Sequence, residues 1–236
     1  MMNHEIEKHF PGLTGPLEVD TETRGALERQ LAEVDAELLE LPEAGDPSLR
    51  AHRLVEKGRM LNRLERGAEA WDVAREAFDM LVGLENWEGA VEASDVLFES
   101  DQEASLEALG QGIWLAVTYP IDPEISAIML RHLVEESPPG GDTAAVAAAT
   151  AYYLACTRGQ GEAGEGLRDF TAAQMAEVAK AHSMVDSQAE FGFWVDRLGL
   201  NNPEHFLPHL GQALEKLVRG NWWYDRDALR ARLPVQ

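Results

Sequence analysis

His205 and His209, one helical turn apart and preceded by Glu204, come nearest to a spacing that could do metal or acid–base chemistry. Imidazoles at i and i+4 can converge on one ion. Pro208 stands between them, however, and a proline there is expected to disrupt the turn that would bring them together. A di-iron carboxylate bundle would need Glu-x-x-His on two helices, and that motif occurs nowhere in the chain. Gly-x-Ser-x-Gly, a Walker loop, His-Glu-x-x-His and an EF-hand loop are missing as well. The expectation is therefore no metal, no cofactor and no catalytic residue recognisable by motif.

Gly159-Gln160-Gly161-Glu162-Ala163-Gly164 matches the letters of the dinucleotide fingerprint. Its context does not fit: an Ala-rich helical pattern precedes it where a strand is required, and Glu162 and Glu165 would face a pyrophosphate with like charge. The stretch 159–166 reads as a loop. Cys156, the only cysteine, excludes an intramolecular disulfide and falls in a helix that reads as buried, so a structural thiol is expected.

Carboxylates carry the stronger pattern. From Glu76 to Leu130 there are twelve Asp and Glu and no Lys, Arg or His. Glu69, Asp72, Glu76 and Asp79 are spaced 3-4-3, and Glu88, Glu92, Asp95 and Glu99 are spaced 4-3-4, so each set falls on one face of one helix. Like charges at i,i+4 cost an isolated helix ~0.2–0.5 kcal/mol per pair, so stability alone would favour interleaved bases. These eight acids are the candidate partner-binding residues, for a protein with a basic surface or segment. Trp222 joins them, because Trp222 and Trp223 in succession cannot both face one core, and one of them is expected to be exposed or to contact a partner. Phe191-Gly192-Phe193-Trp194 reads as core packing.

The net charge of −22 sharpens this, since 30 of the 42 acids and only 11 of the 20 bases precede the Pro138-Pro139-Gly140-Gly141 break. Such a field repels nucleic-acid backbones and anionic membrane surfaces and attracts cationic peptides. Adaptation to salt would account for the total charge but less well for the local absence of bases. The longest apolar run, Ala144 to Cys156, is far short of the ~20 residues a membrane span needs. Met1 to Lys8 lacks the basic and apolar regions of a secretory leader, so a cytoplasmic protein is the simplest expectation.

The elements that must position these residues are helices throughout; no alternating strand pattern of convincing length appears. A helix follows the Asp20-Thr21 cap and runs to Leu41 before Pro42. Its Leu27, Leu31, Val34, Leu38 and Leu41 form a heptad-like seam over 21–41 that needs one partner: the next helix of the same chain, or the same helix of a second chain in a homodimer. Leu54, Gly58 and Leu61 mark that next helix, beginning near Pro47-Ser48.

Leu54-x3-Gly58-x2-Leu61 followed by Gly67-x2-Ala70-x3-Ala74-x2-Ala77 resembles the two helices of one tetratricopeptide repeat. Trp87-x2-Ala90-x3-Ser94-x2-Leu97 resembles another second helix, and Leu106-x2-Leu109-Gly110-x2-Ile113 another first helix. Gly58 and Gly110 are 52 residues apart where a tandem array gives 34 or 68. The resemblance, confined to residues 48–137, implies paired helices in close approach and a protein-binding role.

The expected architecture is all-α, helical-repeat-like (tetratricopeptide-like) or a multi-helix bundle, with about nine or ten helices. It comprises an N-terminal segment 1–47, acidic helices over 48–137, and C-terminal helices over 143–236 packed with them. The function expected first is that of an adaptor or assembly chaperone receiving a basic segment on the acidic helices. An all-helical enzyme using His132, His182, His205, His209 and the aromatic groups is the second reading. A third is an inhibitory, immunity-type protein that masks a nucleic-acid-binding surface.

Overall fold

The computed structural model describes residues 21–42, 45–138 and 140–233. The stretch 1–20, with the leader reading and the Asp20 cap, lies outside the described residues, as do Glu43, Ala44 and Pro139. Eleven helices and no strand occur among the described residues: α1 Thr21–Glu40, α2 Pro47–Arg63, α3 Gly67–Gly83, α4 Trp87–Glu99, α5 Ser105–Thr118, α6 Pro123–Glu136, α7 Asp142–Arg158, α8 Gly161–Ser183, α9 Gln188–Leu198, α10 Pro203–Val218 and α11 Arg226–Arg230. The fold is all-α, and the count is close to the nine or ten expected.

Short turns pair the helices in sequence, α2 with α3, α4 with α5, and α6 with α7. The turns that follow α2 and α3 repeat one device. Glu65 and Glu85 take positive φ of 61° and 56°, while Arg66 N–H and Asn86 N–H reach back to the carbonyls of Leu61 and Leu81 at 2.9 Å each. This is the Schellman arrangement, which satisfies helix-end carbonyls and reverses the chain; a non-glycine residue in that conformation costs ~1–2 kcal/mol. Asn86 then caps α4 by accepting from Gly89 N–H at 3.0 Å.

Contacts between alternate helices place α2, α4 and α6 side by side, while α10 lies across α5 and α7. The Trp87 helix therefore stacks on α2, the first helix of its hairpin, whereas its sequence resembled a second one. Close approach depends on absent side chains: a Cβ on Gly58 of α2 would lie 2.7 Å from Val96 Cγ1 of α4, and one on Gly110 of α5 would collide with Val218 of α10.

α7 is the central helix expected from its small residues. Ala145, Ala147, Ala148, Ala151 and Leu154 are buried, and the helix contacts α6, α8 and α10. Its last residue, Arg158, donates to the carbonyls of Ala116 and Val117 at 2.7 and 2.9 Å. The guanidinium thereby closes the C-terminal end of α5, where the helix dipole favours a cation, although burial pushes its pKa down.

The α1 seam packs inside the chain: Leu27 and Leu31 share a cluster with Leu61, Leu64 and Ala70. Ion pairs Lys57–Asp35 at 2.7 Å and Arg53–Glu37 at 2.9 Å set the register of α1 on α2.

Three expectations are corrected. The stretch 159–166 is not a loop beyond Gly161, because α8 starts there, and Gly164 seats so tightly on Gly159 that a Cβ would lie 2.5 Å from its carbonyl carbon. Cys156 is exposed, since it falls on the outer side of α7 next to exposed Tyr152. α10 runs through Pro208, because buried Phe206, Leu210, Leu214 and Val218 outweigh the loss of one hydrogen bond on its outer side.

Candidate functional site

Glu88, Glu92, Asp95 and Glu99 do lie along one side of α4, and that side is flanked by α2 and α6. From α2, Arg59 Nη2 pairs with Glu92 Oε1 at 3.3 Å. From α6, His132 Nε2 meets Asp95 Oδ1 at 3.1 Å, and its Nδ1 lies 3.6 Å from Glu135. Glu88 accepts from the backbone N–H of Asp122 at 3.1 Å. The Phe98 ring, 4.7 Å from the imidazole by centroid, backs the site.

The electrostatics follow from this crowding. The Glu99 carboxyl is pushed up from 4.5 to about 7, chiefly because neighbouring atoms strip water from it and secondly because the Asp95 charge is adjacent. His132 and Arg59 oppose the shift without cancelling it. For His132, burial works against the charged ring, but the hydrogen bond to Asp95 and the charges of Asp95, Glu99 and Glu135 outweigh it, so its pKa is raised. Arg131 is occupied by Glu135 at 2.7 Å. Five carboxylates, Glu88, Glu92, Asp95, Glu99 and Glu135, thus meet two guanidiniums and one imidazole.

The stripe on α3 is different. Glu69 is gripped by Nε and Nη2 of Arg66 at 2.7 and 2.5 Å, and these hydrogen bonds lower its pKa. Glu76 pairs with Arg50 of α2 at 3.4 Å, and Asp79 with Arg75. Exposed Asp72 is the member of that stripe without an ion pair among the described residues. The bases that answer this stripe come from α2 (Arg50), from the turn before α3 (Arg66) and from α3 itself (Arg75).

Trp222 and Trp223 are both held by the protein. Trp223 stands edge-on to Trp71 and Phe78 at 6.1 and 5.3 Å with Arg75 over its face at 4.2 Å. Trp222 is half-buried, with Arg226 stacked on it at 3.7 Å and its Nε1–H donated to Glu215 at 3.1 Å. Buried Gln111 ties the segment down: it donates to Asn221 O at 2.9 Å, accepts from Trp223 N–H at 3.3 Å and offers its own carbonyl to the Tyr224 hydroxyl at 2.8 Å. His205 and His209 are exposed and join no metal-ligating cluster among the described residues.

Sequence reasoning found the four acids on α4 but not Arg59, Arg131, His132 as their partner, or Glu135. The missed signal was positional, because Asp95 and His132 stand at nearly the same distance from the first residues of their helices, Trp87 and Pro123. Chemically, Asp95, Glu99 and His132 bring one ligand atom each to within 4.8 Å of one another. One imidazole nitrogen and two carboxylate oxygens are a donor set that suits a divalent first-row ion, and the same carboxylates suit an ammonium or guanidinium group. Comparison with known protein families, with curated proteins and with solved structures finds no match to the chain. No helix is long and apolar enough to cross a membrane among the described residues.

Proposed function

We propose that the chain is a protein-binding scaffold, an adaptor or assembly chaperone, that receives a basic segment along the face formed by α2, α4 and α6. The observation that carries this reading is the shortage of positive charge around Asp95 and Glu99, where five carboxylates face two guanidiniums and one imidazole. A lysine or arginine side chain inserted there supplies the missing charge, restores the ionised form of Glu99 and releases a proton as it binds. The α3 stripe contributes less, since intramolecular arginines already cover Glu69, Glu76 and Asp79.

The test is binding of a synthetic Lys-rich peptide to the full chain, measured calorimetrically at low and high salt. Binding should weaken by about tenfold or more as salt rises, and more protons should be released at pH 6 than at pH 8. Reversal of Glu88, Glu92 and Glu99 to Lys should abolish it. Binding that survives the reversal with unchanged salt dependence would sink the proposal. Addition of a divalent metal in parallel distinguishes the two cations: displacement of the peptide by stoichiometric metal would give the site to the ion.

A further inference from the structure

A second polar cluster lies where α7, α8 and α9 meet. His182, on the last turn of α8, places Nε2 3.0 Å from Asp142 Oδ1 at the start of α7, and Nδ1 2.6 Å from Ser183 Oγ. The Nε1–H of Trp194, from α9, also points at Nδ1, at 3.3 Å. An indole nitrogen only donates, so Nδ1 is the unprotonated nitrogen, and Nε2–H therefore donates to the Asp142 carboxylate. The single lone pair of Nδ1 is shared between the Trp194 N–H and the nearer Ser183 hydroxyl, while Arg197 Nη2 donates to the same serine oxygen at 2.9 Å. The His182 side chain is only 10% exposed.

Ser183 is not sealed in. It lines an open cleft of about 460 Å³ together with Met184, Val185, Phe193, Trp194 and Arg197. That volume is the size used by small-molecule sites. Phe193, expected from the sequence to pack in the core, is instead 71% exposed, and Met184 is 77% exposed, so this wall is an apolar surface left uncovered beside a hydrogen-bonded hydroxyl. The fold holds the parts firmly. Trp194 is buried, α9 begins with a complete Ser187–Glu190 capping box, and Met184 closes α8 in a left-handed conformation at φ 57°.

We infer that Ser183 is the nucleophile of a hydrolytic acyl-transfer site, with His182 as its general base and Asp142 as the residue that positions the imidazole. The substrate class is an ester of an apolar carboxylic acid, its acyl chain lying against Phe193, Met184 and Val185. Ser183 Oγ forms a bond to the carbonyl carbon as its proton passes to His182 Nδ1, and the longer Trp194 bond gives way. The carbonyl oxygen becomes an oxyanion facing the Arg197 guanidinium. Collapse breaks the ester C–O bond, and the alcohol leaves with the proton from Nδ1. Water then attacks the acyl-serine and gives its proton to Nδ1; collapse breaks the carbonyl C–Oγ bond, Nδ1 returns the proton to Oγ, and the acid leaves with Ser183 and His182 restored. This differs from the usual triad in the nitrogen each partner meets and in the adjacency of serine and histidine.

The test uses the full chain, p-nitrophenyl butyrate and an alkyl fluorophosphonate. Saturable release of p-nitrophenol is expected, with one fluorophosphonate adduct per chain mapped by mass spectrometry to Ser183. Ser183→Ala should lower kcat/KM by about 100-fold or more. Asp142→Asn should lower kcat by about tenfold or more with little change in KM, and Asp142→Glu should recover part of it. Circular dichroism checks that the variants fold, and the wild-type adduct decides the matter even if one does not. No adduct at Ser183, or a folded Ser183→Ala variant within twofold of wild type, overturns the assignment and leaves the cluster as a helix end. The site shares no residue with the acidic face, so hydrolysis and the Ser183 adduct are expected whichever way peptide binding turns out.

Discussion

Replacing Glu99 by Gln removes an ionisation that the folded chain resists. Its carboxyl shifts from 4.5 to about 7 on folding, so between those values the folded chain holds a proton that the unfolded chain has released. Stability therefore falls as pH rises through this window. The shift of roughly 2.5 units corresponds to about 3.4 kcal/mol at ~1.36 kcal/mol per unit. Glu99 is exposed as a residue, and solvent screening reduces that figure about threefold, to about 1 kcal/mol. Glutamine keeps the shape and hydrogen-bonding capacity without the charge. The Glu99→Gln variant should match wild type near about pH 4 and gain about 1 kcal/mol above about pH 7, or roughly 2–4 °C in Tm for a chain of this size. Parallel thermal melts across that pH range measure the difference directly. A variant that melts no higher than wild type near about pH 8, or whose advantage persists unchanged in acid, would refute the account of a cation-deficient site.

The same cluster makes an opposite demand on His132, whose raised pKa means that its pair with Asp95 stabilises the fold fully below the ordinary 6.5 and loses that contribution as pH climbs past the raised value. His132→Asn should accordingly cost about 1 kcal/mol near about pH 6 and less near about pH 9, read from urea denaturation. Trp223→Ala should destabilise by about 3 kcal/mol, because Trp71, Phe78 and Arg75 all lose their partner, and intrinsic fluorescence should report the release of the C-terminal segment. Gly58→Ala should cost about 1–3 kcal/mol by forcing Val96 away from α2, and a compensating Val96→Ala should recover part of it in a double-mutant cycle.

Much of the scaffold was legible from local signals. Pro47 and Pro123 sit at helix starts behind Asp46 and Asp122, whose side chains accept from Ser48 and Glu124 N–H, and the apolar spacing marks the buried faces between them. The 4-3-4 spacing of Glu88, Glu92, Asp95 and Glu99 placed four carboxylates on one face because helical period alone dictates it. The burial of Cys156 and the break at Pro208 were misjudged for a shared reason: each depends on which side of its helix faces the core, and in α7 small apolar residues occur all round.

The sequence by itself determined the helices, their caps, and the stripes of charge along them, since all of these depend on residues within a turn or two of one another. Tertiary structure alone decided what the charges mean. Arg50 answers Glu76, Arg59 answers Glu92 and His132 answers Asp95 across 26, 33 and 37 residues of chain, whereas burial and the neighbouring Asp95 push the Glu99 carboxyl up to about 7. It also decided that Asp142, His182 and Ser183 should meet, 40 residues of separation closing to 3.0 Å where α7 and α8 pack. Electrostatic pairing depends on distance in space, and helical period carries no information about which helix will lie beside which.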